Sequence, residues 1–326
     1  MVQNMPGDMT GDMTGDMAGT AARTPFRAGF ACLVGRPNVG KSTLTNSLVG
    51  HKVAITSSRP QTTRHTIRGI VHQPDGQLIL VDTPGLHRPR TLLGQRLNSL
   101  VRATWSEVDV IGFCVPADAV IGPGDRFIAS ELAALARRTP VFGIVTKTDL
   151  VSPQRVAEQL AGLADLARSA GFDEFAELVP VSAVDGFQVG LLADLLLARM
   201  PESPPLYPGG ELTDEPEQTL VAELVREAAL EGVREELPHS LAVLVEEMSP
   251  REGRADLLDV YVNLYVERDS QKAIVIGRGG QRLKEVGSRA RRQIEALLGI
   301  SVYLDLRVKV AKDWQRNPRQ LRRLGF

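Results

Sequence analysis

Gly35-Arg36-Pro37-Asn38-Val39-Gly40-Lys41-Ser42 is a complete G-x-x-x-x-G-K-S phosphate loop. It follows the apolar run Phe30-Ala31-Cys32-Leu33-Val34, which reads as a strand. It precedes Thr43-Leu44-Thr45-Asn46-Ser47-Leu48-Val49, which reads as a helix. The glycines let the backbone curl so that successive N–H groups turn toward a phosphate. The helix that follows adds the positive end of its dipole. Lys41 is placed to reach the outer phosphates, and the Ser42 hydroxyl to hold Mg²⁺.

Working outward, the 326 residues suffice for two domains with separate cores. The hydrophobic and charged fractions, 43% and 24%, are those of a soluble globular chain, and no apolar run approaches membrane-spanning length. Cys32 and Cys114 both fall in expected buried strands without metal-ligand spacing, which points to a reducing cytosol. Residues 1–25 repeat Gly-Asp-Met-Thr, have neither a basic start nor an apolar core, and are expected to be a disordered tail rather than a secretory signal.

From 26 to 201 short apolar segments alternate with amphipathic ones. Strands are expected at 30–34, 77–81, 110–115, 141–145 and 177–181, and helices at 126–136 and 154–169, among others. This alternation predicts an α/β domain with a mainly parallel sheet covered by helices on both faces, and a ligand beyond the carboxyl ends of its strands.

Further motifs fall at those ends. Asp82-Thr83-Pro84-Gly85 follows Leu78-Ile79-Leu80-Val81; Asp82 is placed to hold Mg²⁺ and the Gly85 N–H to meet a γ-phosphate. Thr146-Lys147-Thr148-Asp149 follows the strand at 141–145 and resembles the N-K-x-D motif of GTPases, with Thr146 in place of Asn. An Asp149 carboxylate can accept from guanine N1–H and the 2-amino group, donors that adenine lacks. The Thr146 hydroxyl is expected to replace part of the missing amide's hydrogen bonding. Ser182-Ala183 follows Leu178-Val179-Pro180-Val181 and matches the S-A loop whose backbone N–H meets guanine O6. Within Gln61-Thr62-Thr63-Arg64-His65, Thr63 is favoured over Thr62 to complete Mg²⁺ coordination.

A second domain is expected from 217 to 326. Pro201, Pro204, Pro205 and Pro208 break the chain between the two, giving a stiff linker over 202–216. A helix is expected over 220–235 and strands over 241–247 and 257–268, with 249–253 turning between them. Ile276-Gly277-Arg278-Gly279-Gly280-Gln281 then holds a G-x-x-G loop, followed by Leu283, Val286, Ala290 and Ile294 on one helix face and a strand over 301–310. In KH modules such a loop lets a nucleic-acid backbone approach closely. Charge agrees: 271–326 holds fourteen Lys and Arg against four Asp and Glu, a net of +10, whereas 211–270 is −11. The order of elements is that expected of an α+β type II KH domain, with an RNA-binding groove from Ile276 to Lys284 and Arg291 and Arg292 in support.

The whole order resembles the Era family of GTPases across residues 28–326, most tellingly in 35–42, in Gln61-Thr62-Thr63-Arg64-His65 and in Val81-Asp82-Thr83-Pro84-Gly85-Leu86-His87. The departures are the repeat tail and Thr146. The resemblance implies a GTPase switch that uses GTP, GDP and Mg²⁺ and binds the 3′ end of small-subunit ribosomal RNA during assembly of the small ribosomal subunit. It implies peripheral association with the cytoplasmic face of the membrane, for which the sequence carries no lipidation signal or amphipathic anchor; a cytoplasmic monomer is expected. Ras-type enzymes place a water-orienting Gln after the D-x-x-G glycine. Leu86 stands there, so slow intrinsic turnover is expected. Relatives with Asn in the phosphate loop bind K⁺ through it, and Asn38 matches; Arg64 or a partner's arginine is the competing source of charge. Lys41, Thr63, Gly85 and Asn38 are thus the expected catalytic set. A ribosome-bound scaffold using GTP only as a structural ligand, and an ATP-using P-loop enzyme, are the rival readings.

Overall fold

The computed structural model describes residues 25–56, 66–86, 91–135, 139–172, 174–231 and 240–326. The tail lies outside them apart from Pro25, as do Thr63 and its neighbours at 57–65 and the segment 232–239, which holds the end of the helix expected to 235.

The first domain is built on a six-stranded sheet. β1 (Arg27–Val34), β2 (Ile67–Gln73), β3 (Gly76–Asp82), β4 (Val110–Pro116), β5 (Val141–Thr146) and β6 (Glu177–Pro180) are ordered β2-β3-β1-β4-β5-β6. All neighbours are parallel except β2 and β3. β3, β4 and β5 are buried at every position, which is why they read as unbroken apolar runs rather than alternating ones. Two apolar cores flank the sheet. One gathers α1 (Lys41–Val49) and α5 (Val189–Leu197); the other gathers α2 (Leu92–Glu107), α3 (Pro123–Leu135) and α4 (Pro153–Ala170). Local chemistry sets the helix ends: Thr91 and Ser152 cap α2 and α4 through their hydroxyls, Pro153 opens α4, and Gly171 closes it at φ 95°. Cys32 and Cys114 are fully buried, and burial pushes the Cys114 thiol up to about 12 and the Cys32 thiol higher still.

β2 was not among the expected strands. Its sequence, Ile-Arg-Gly-Ile-Val-His-Gln, mixes polar and apolar residues, and it is a strand because it pairs along its whole length with β3. Its outer edge is covered by the segment expected as a linker. Ile70 N–H donates to Leu212 O (2.9 Å), and Arg68 pairs with Asp214 (2.9 Å). Gln77, only 1% exposed, accepts from the N–H groups of Leu206 and Tyr207 (2.8 and 2.9 Å) and donates to Tyr207 O (2.9 Å). The linker is a strap bonded to the sheet, blunting an edge open to pairing.

The second domain contains α6 (Glu217–Leu230), β7 (Ala242–Arg251), β8 (Arg254–Val266), α7 (Asp269–Ile276), α8 (Gln281–Leu298), β9 (Ser301–Val310) and α9 (Pro318–Arg323). The sheet order is β7-β8-β9, antiparallel then parallel, with α6 and α8 sharing one apolar core against it. The turn expected over 249–253 is tighter. The strands run on to Arg251 and from Arg254, so only Glu252 and Gly253 turn, with Gly253 at φ 75°. Pro250 is tolerated because β7 is an edge strand whose register shifts between Pro250 and Arg251.

A fourth apolar cluster joins the domains. Leu93 and Leu97 of α2 pack with Ala242, Tyr265, Trp314, Leu321 and Leu324 of the second domain. Trp314 stacks on Phe326 at 5.7 Å and donates its indole N–H to Ser240 O (2.9 Å). Arg96 Nη1 donates to Phe326 O (2.7 Å).

Gln77→Ala leaves two backbone N–H groups of the strap without their buried acceptor, a cost of about 1–3 kcal/mol. The expected result is a lower denaturation midpoint and faster proteolytic cleavage within 202–216. Wild-type cleavage kinetics there would show that the strap is held by something other than Gln77.

Candidate functional site

The crevice forms at the carboxyl end of β1, between β3 and β4, where the chain leaves the sheet in opposite directions. The phosphate loop curls there and runs into α1. A Cβ on Gly35 would lie 2.5 Å from Cys114 O, so β4 abuts the loop too closely for any side chain. Lys41 is buried at the first position of α1 and folds back across the loop, its Nζ donating to Gly35 O (3.1 Å) and Arg36 O (2.9 Å). Burial lowers its pKa, and the Asp82 carboxylate opposes that shift. Arg36 turns outward onto the buried Asp125 of α3, with Nε donating to Oδ1 at 2.7 Å. Asn38 stands exposed at the tip with φ 65°; Pro37 is half-buried and Val39 buried. Gly40 caps α1 at φ 100°, with Thr43 half-buried in its first turn.

β3 delivers Asp82, fully buried, whose Oδ2 accepts from Ser42 Oγ at 2.8 Å. A carboxylate and a hydroxyl meeting at the helix N-terminus are hard oxygen donors, and this donor set fits Mg²⁺ bound by few protein ligands plus phosphate and water. Thr83 is buried, with its hydroxyl 3.4 Å from Leu33 O, and Pro84 is buried beside it. At Gly85 a Cβ would come within 3.1 Å of Pro37 N, so the two loops touch. Leu86 is 3% exposed and packs into the core with Val34, Val101 and Trp105.

The opposite end of the crevice is formed by β5 and β6. Thr146 Oγ1 donates to Val39 O at 2.5 Å. The expectation for this residue is thereby sharpened: its hydroxyl braces the phosphate loop. Lys147 has φ 58° and reaches Asp118 at 3.5 Å. Asp149 is exposed, and Ser182 Oγ donates to its Oδ1 at 2.8 Å. The Ser182 N–H is taken by Phe187 O (3.1 Å), while Ala183 is half-buried beside it. Residues from four separated stretches of chain therefore converge, and Thr63 lies outside the described residues.

In the second domain, Ile276 ends α7 half-buried, and Gly277, Gly279 and Gly280 take φ values of 74°, 58° and 79°. Three left-handed residues in four turn the chain sharply into α8 and leave Arg278 and Gln281 exposed. A groove of about 550 Å³ runs between α8 and β9, with Gly280, Lys284 and Arg291 along it. Arg292 does not line it. That residue sits on the other flank of α8, with Gln281, Arg282 and Arg289, along a depression of about 770 Å³. Lys284 and Ser288 border both depressions, while Arg291 and Arg292 border one each. Among the groove residues that escaped the sequence reading are Arg251, at the end of β7, and Tyr303, on β9. They come together only across the sheet.

This architecture is that of a P-loop GTPase domain carrying a type II KH domain. The family model described as 50S ribosome-binding GTPase matches residues 30–147, and the KH domain model matches 236–315. GTPase Era of Streptomyces coelicolor is 69% identical over 303 residues, covering 92% of this chain and 95% of that protein. GTPase Era of a Mycobacterium species (strain KMS) is 68% identical over 301 residues, 92% of this chain and 99% of that one. A solved structure of Aquifex aeolicus Era, a variant bound to GDP and AlF4⁻, superposes with a TM-score of 0.86 at 36% identity. Era in complex with MgGDPNP and nucleotides 1506–1542 of 16S ribosomal RNA superposes at 0.85 and 38%. Each alignment with these two structures covers 92% of this chain and 99% of the other. The chain belongs to the Era family.

Removing the Thr146 hydroxyl leaves Val39 O without this partner, worth about 1 kcal/mol. Thr146→Val is expected to bind both GDP and GTP about fivefold more weakly by calorimetry, with Thr146→Ser near wild type. Undiminished affinity in Thr146→Val would remove the brace.

Proposed function

We propose that this chain is a GTP-binding and GTP-hydrolysing switch that binds the 3′ end region of small-subunit ribosomal RNA and acts in assembly of the small ribosomal subunit. The observation that carries the reading is where the KH domain rests. Glu227 of α6 accepts from Thr56 N–H (2.9 Å) and Thr56 Oγ1 (3.1 Å), directly before the segment that holds Thr63. It also pairs with Lys52 and accepts from Gln293 of α8. On the other side, α2 follows the Asp82–Leu86 segment and carries Leu93 and Leu97 into the interdomain cluster. The KH domain thus touches both stretches that flank the γ-phosphate side of the crevice. A shift in either one on exchange of GTP for GDP moves the groove. The solved Era bound to MgGDPNP and 16S ribosomal RNA supports both ligands.

The geometry supports the following residue roles. Residues 35–43 cradle the phosphates, and Lys41 turns from the loop carbonyls to the outer phosphate oxygens. Ser42 and Asp82, with Thr63, would hold Mg²⁺, which would supply positive charge against the phosphates. The Gly85 N–H senses the γ-phosphate. Asp149, oriented by Ser182, reads the guanine edge; because the Ser182 N–H is already bonded, O6 falls to the Ala183 N–H. Leu86 is buried and apolar, so no side chain at that position orients water, and turnover is slow unless charge is supplied elsewhere. We assign that charge to K⁺ beside Asn38. Turnover in KCl is expected to exceed that in NaCl; equal rates would remove the assignment. Leu86 also favours the second reading, a scaffold using GTP as a structural ligand, and turnover with RNA and K⁺ present separates the two. In this reading the RNA surface runs from Ile276 to Lys284, with Arg291 and Arg292 in support. A monomeric state and peripheral membrane association belong to the same reading; sedimentation and flotation with anionic vesicles test them.

The deciding measurement is affinity for a single-stranded fragment of the small-subunit ribosomal RNA 3′ end, with GTP analogue, with GDP and without nucleotide. Coupling of typical size, about 1–3 kcal/mol, makes the analogue state bind about 5- to 150-fold more tightly than the GDP state. Equal affinity in all three would leave two functions on one chain without a switch.

A further inference from the structure

The groove along α8 ends on a feature that phosphate contacts do not explain. It runs from Gly280 through Lys284 to Arg291, about three turns of helix. β9 returns beside α8: Leu306 lies against Gly287, and Val302 N–H donates to Glu295 Oε1 at 3.1 Å. The start of β9 therefore marks the end of the groove far from the G-x-x-G loop. Tyr303 stands there, 45% exposed, on the strand face opposite the buried Val302 and Val308.

Tyr303 is held in place from two sides. Its ring meets that of Tyr261 edge-on, at 6.4 Å and 66°, and the Arg251 guanidinium lies 4.7 Å from its centroid. The guanidinium is itself fixed by Asp259, the cross-strand neighbour of Tyr303, through Nε–Oδ2 (3.1 Å) and Nη2–Oδ1 (2.7 Å) contacts. Two planar groups are stacked and locked at the mouth of a groove that Lys284 and Arg291 also line. Because Asp259 already neutralises Arg251, the pair offers a flat surface rather than a grip on phosphate. A flat, partly apolar surface of this kind takes a nucleobase, whatever its identity, provided the base is unpaired and its face is open.

The geometry points to a base-stacking ledge: a nucleobase leaving the groove stacks on the Arg251–Tyr303 pair, beyond the nucleotides held beside the G-x-x-G loop. This rests on the RNA reading above and extends it to a position and a contact type. The ledge adds affinity for single strands longer than the groove itself and carries no sequence preference of its own.

The test uses the full chain and two single-stranded fragments of the small-subunit ribosomal RNA 3′ end. One is about four nucleotides long, the span of a KH groove; the other is about twice that length. Tyr303→Ala is expected to weaken binding of the longer fragment about tenfold, within the range of base–aromatic stacking. The shorter fragment should bind as to wild type, and the salt dependence of the longer one should keep its slope. Tyr303→Phe retains the ring and should retain affinity. Lys284→Ala, by contrast, should weaken both fragments and lower the salt slope by about one. Equal losses on both fragments, or none on either, in Tyr303→Ala protein with an unchanged denaturation midpoint would overturn the ledge. A wild-type chain that binds neither fragment would overturn the RNA reading itself, and the ledge with it.

Discussion

The fold of this chain depends on one constraint at residues 35–43. A loop that turns its N–H groups inward toward an anion turns its carbonyls outward, and those that are buried need a donor from the protein. Gly35 and Arg36 are served by Lys41, and Val39 by Thr146. The Arg36 side chain is drawn away onto Asp125 of α3. The loop is consequently tied to β5 and to α3, and a Cβ at Gly35 would collide with β4. The six-stranded sheet is the frame that brings these donors within reach. The same ties keep the loop shaped before any nucleotide arrives, so binding costs little ordering of the backbone.

That rigidity contrasts with how the second domain is attached. Among the described residues no sheet is shared by the two halves; the contacts are an apolar cluster around Trp314 and a polar hub at Glu227. Both sit on segments adjacent to the crevice rather than on the sheet behind it. An interface placed there couples to small displacements near the γ-phosphate, whereas one on the back of the sheet would not feel them. The strap over 202–216 complements this arrangement. Bonded to Gln77 and to the edge of β2, it fixes where the second domain begins.

Charge is arranged with equal economy. The second domain is acidic in its first half and basic in its last, and the two halves meet along α8 and β9. Acids near the groove are largely spent on neighbouring arginines, as Asp259 is on Arg251 and Asp305 on Arg307. The groove lining is left with Lys284 and Arg291 as its cations beyond the Arg251–Asp259 pair. In the proposed reading a single strand meets cations beside the G-x-x-G loop and aromatic surface further on, which separates charge neutralisation from base contact.

The sequence by itself determined the strands buried on both faces, the phosphate loop, the strand-end positions of Asp82, Asp149 and Ser182, and the G-x-x-G helix entrance. Each is written in a contiguous run whose local pattern has one cheap backbone solution: an apolar run makes a buried strand, and clustered glycines turn the chain before a helix. Tertiary structure alone decided the rest. β2 became a strand through pairing with β3, because its own residues carry no period. Thr146 became a brace because β5 ends beside Val39, 107 residues earlier in the chain. The supposed linker became a strap because Gln77 is buried where Leu206 and Tyr207 need an acceptor. Arg291 and Arg292, adjacent in sequence, border different depressions, one on each flank of α8. Tyr303 and Arg251 acquired a shared role only across three strands. In each case the partner is distant in sequence, so the interaction exists only once the chain has closed the intervening loop.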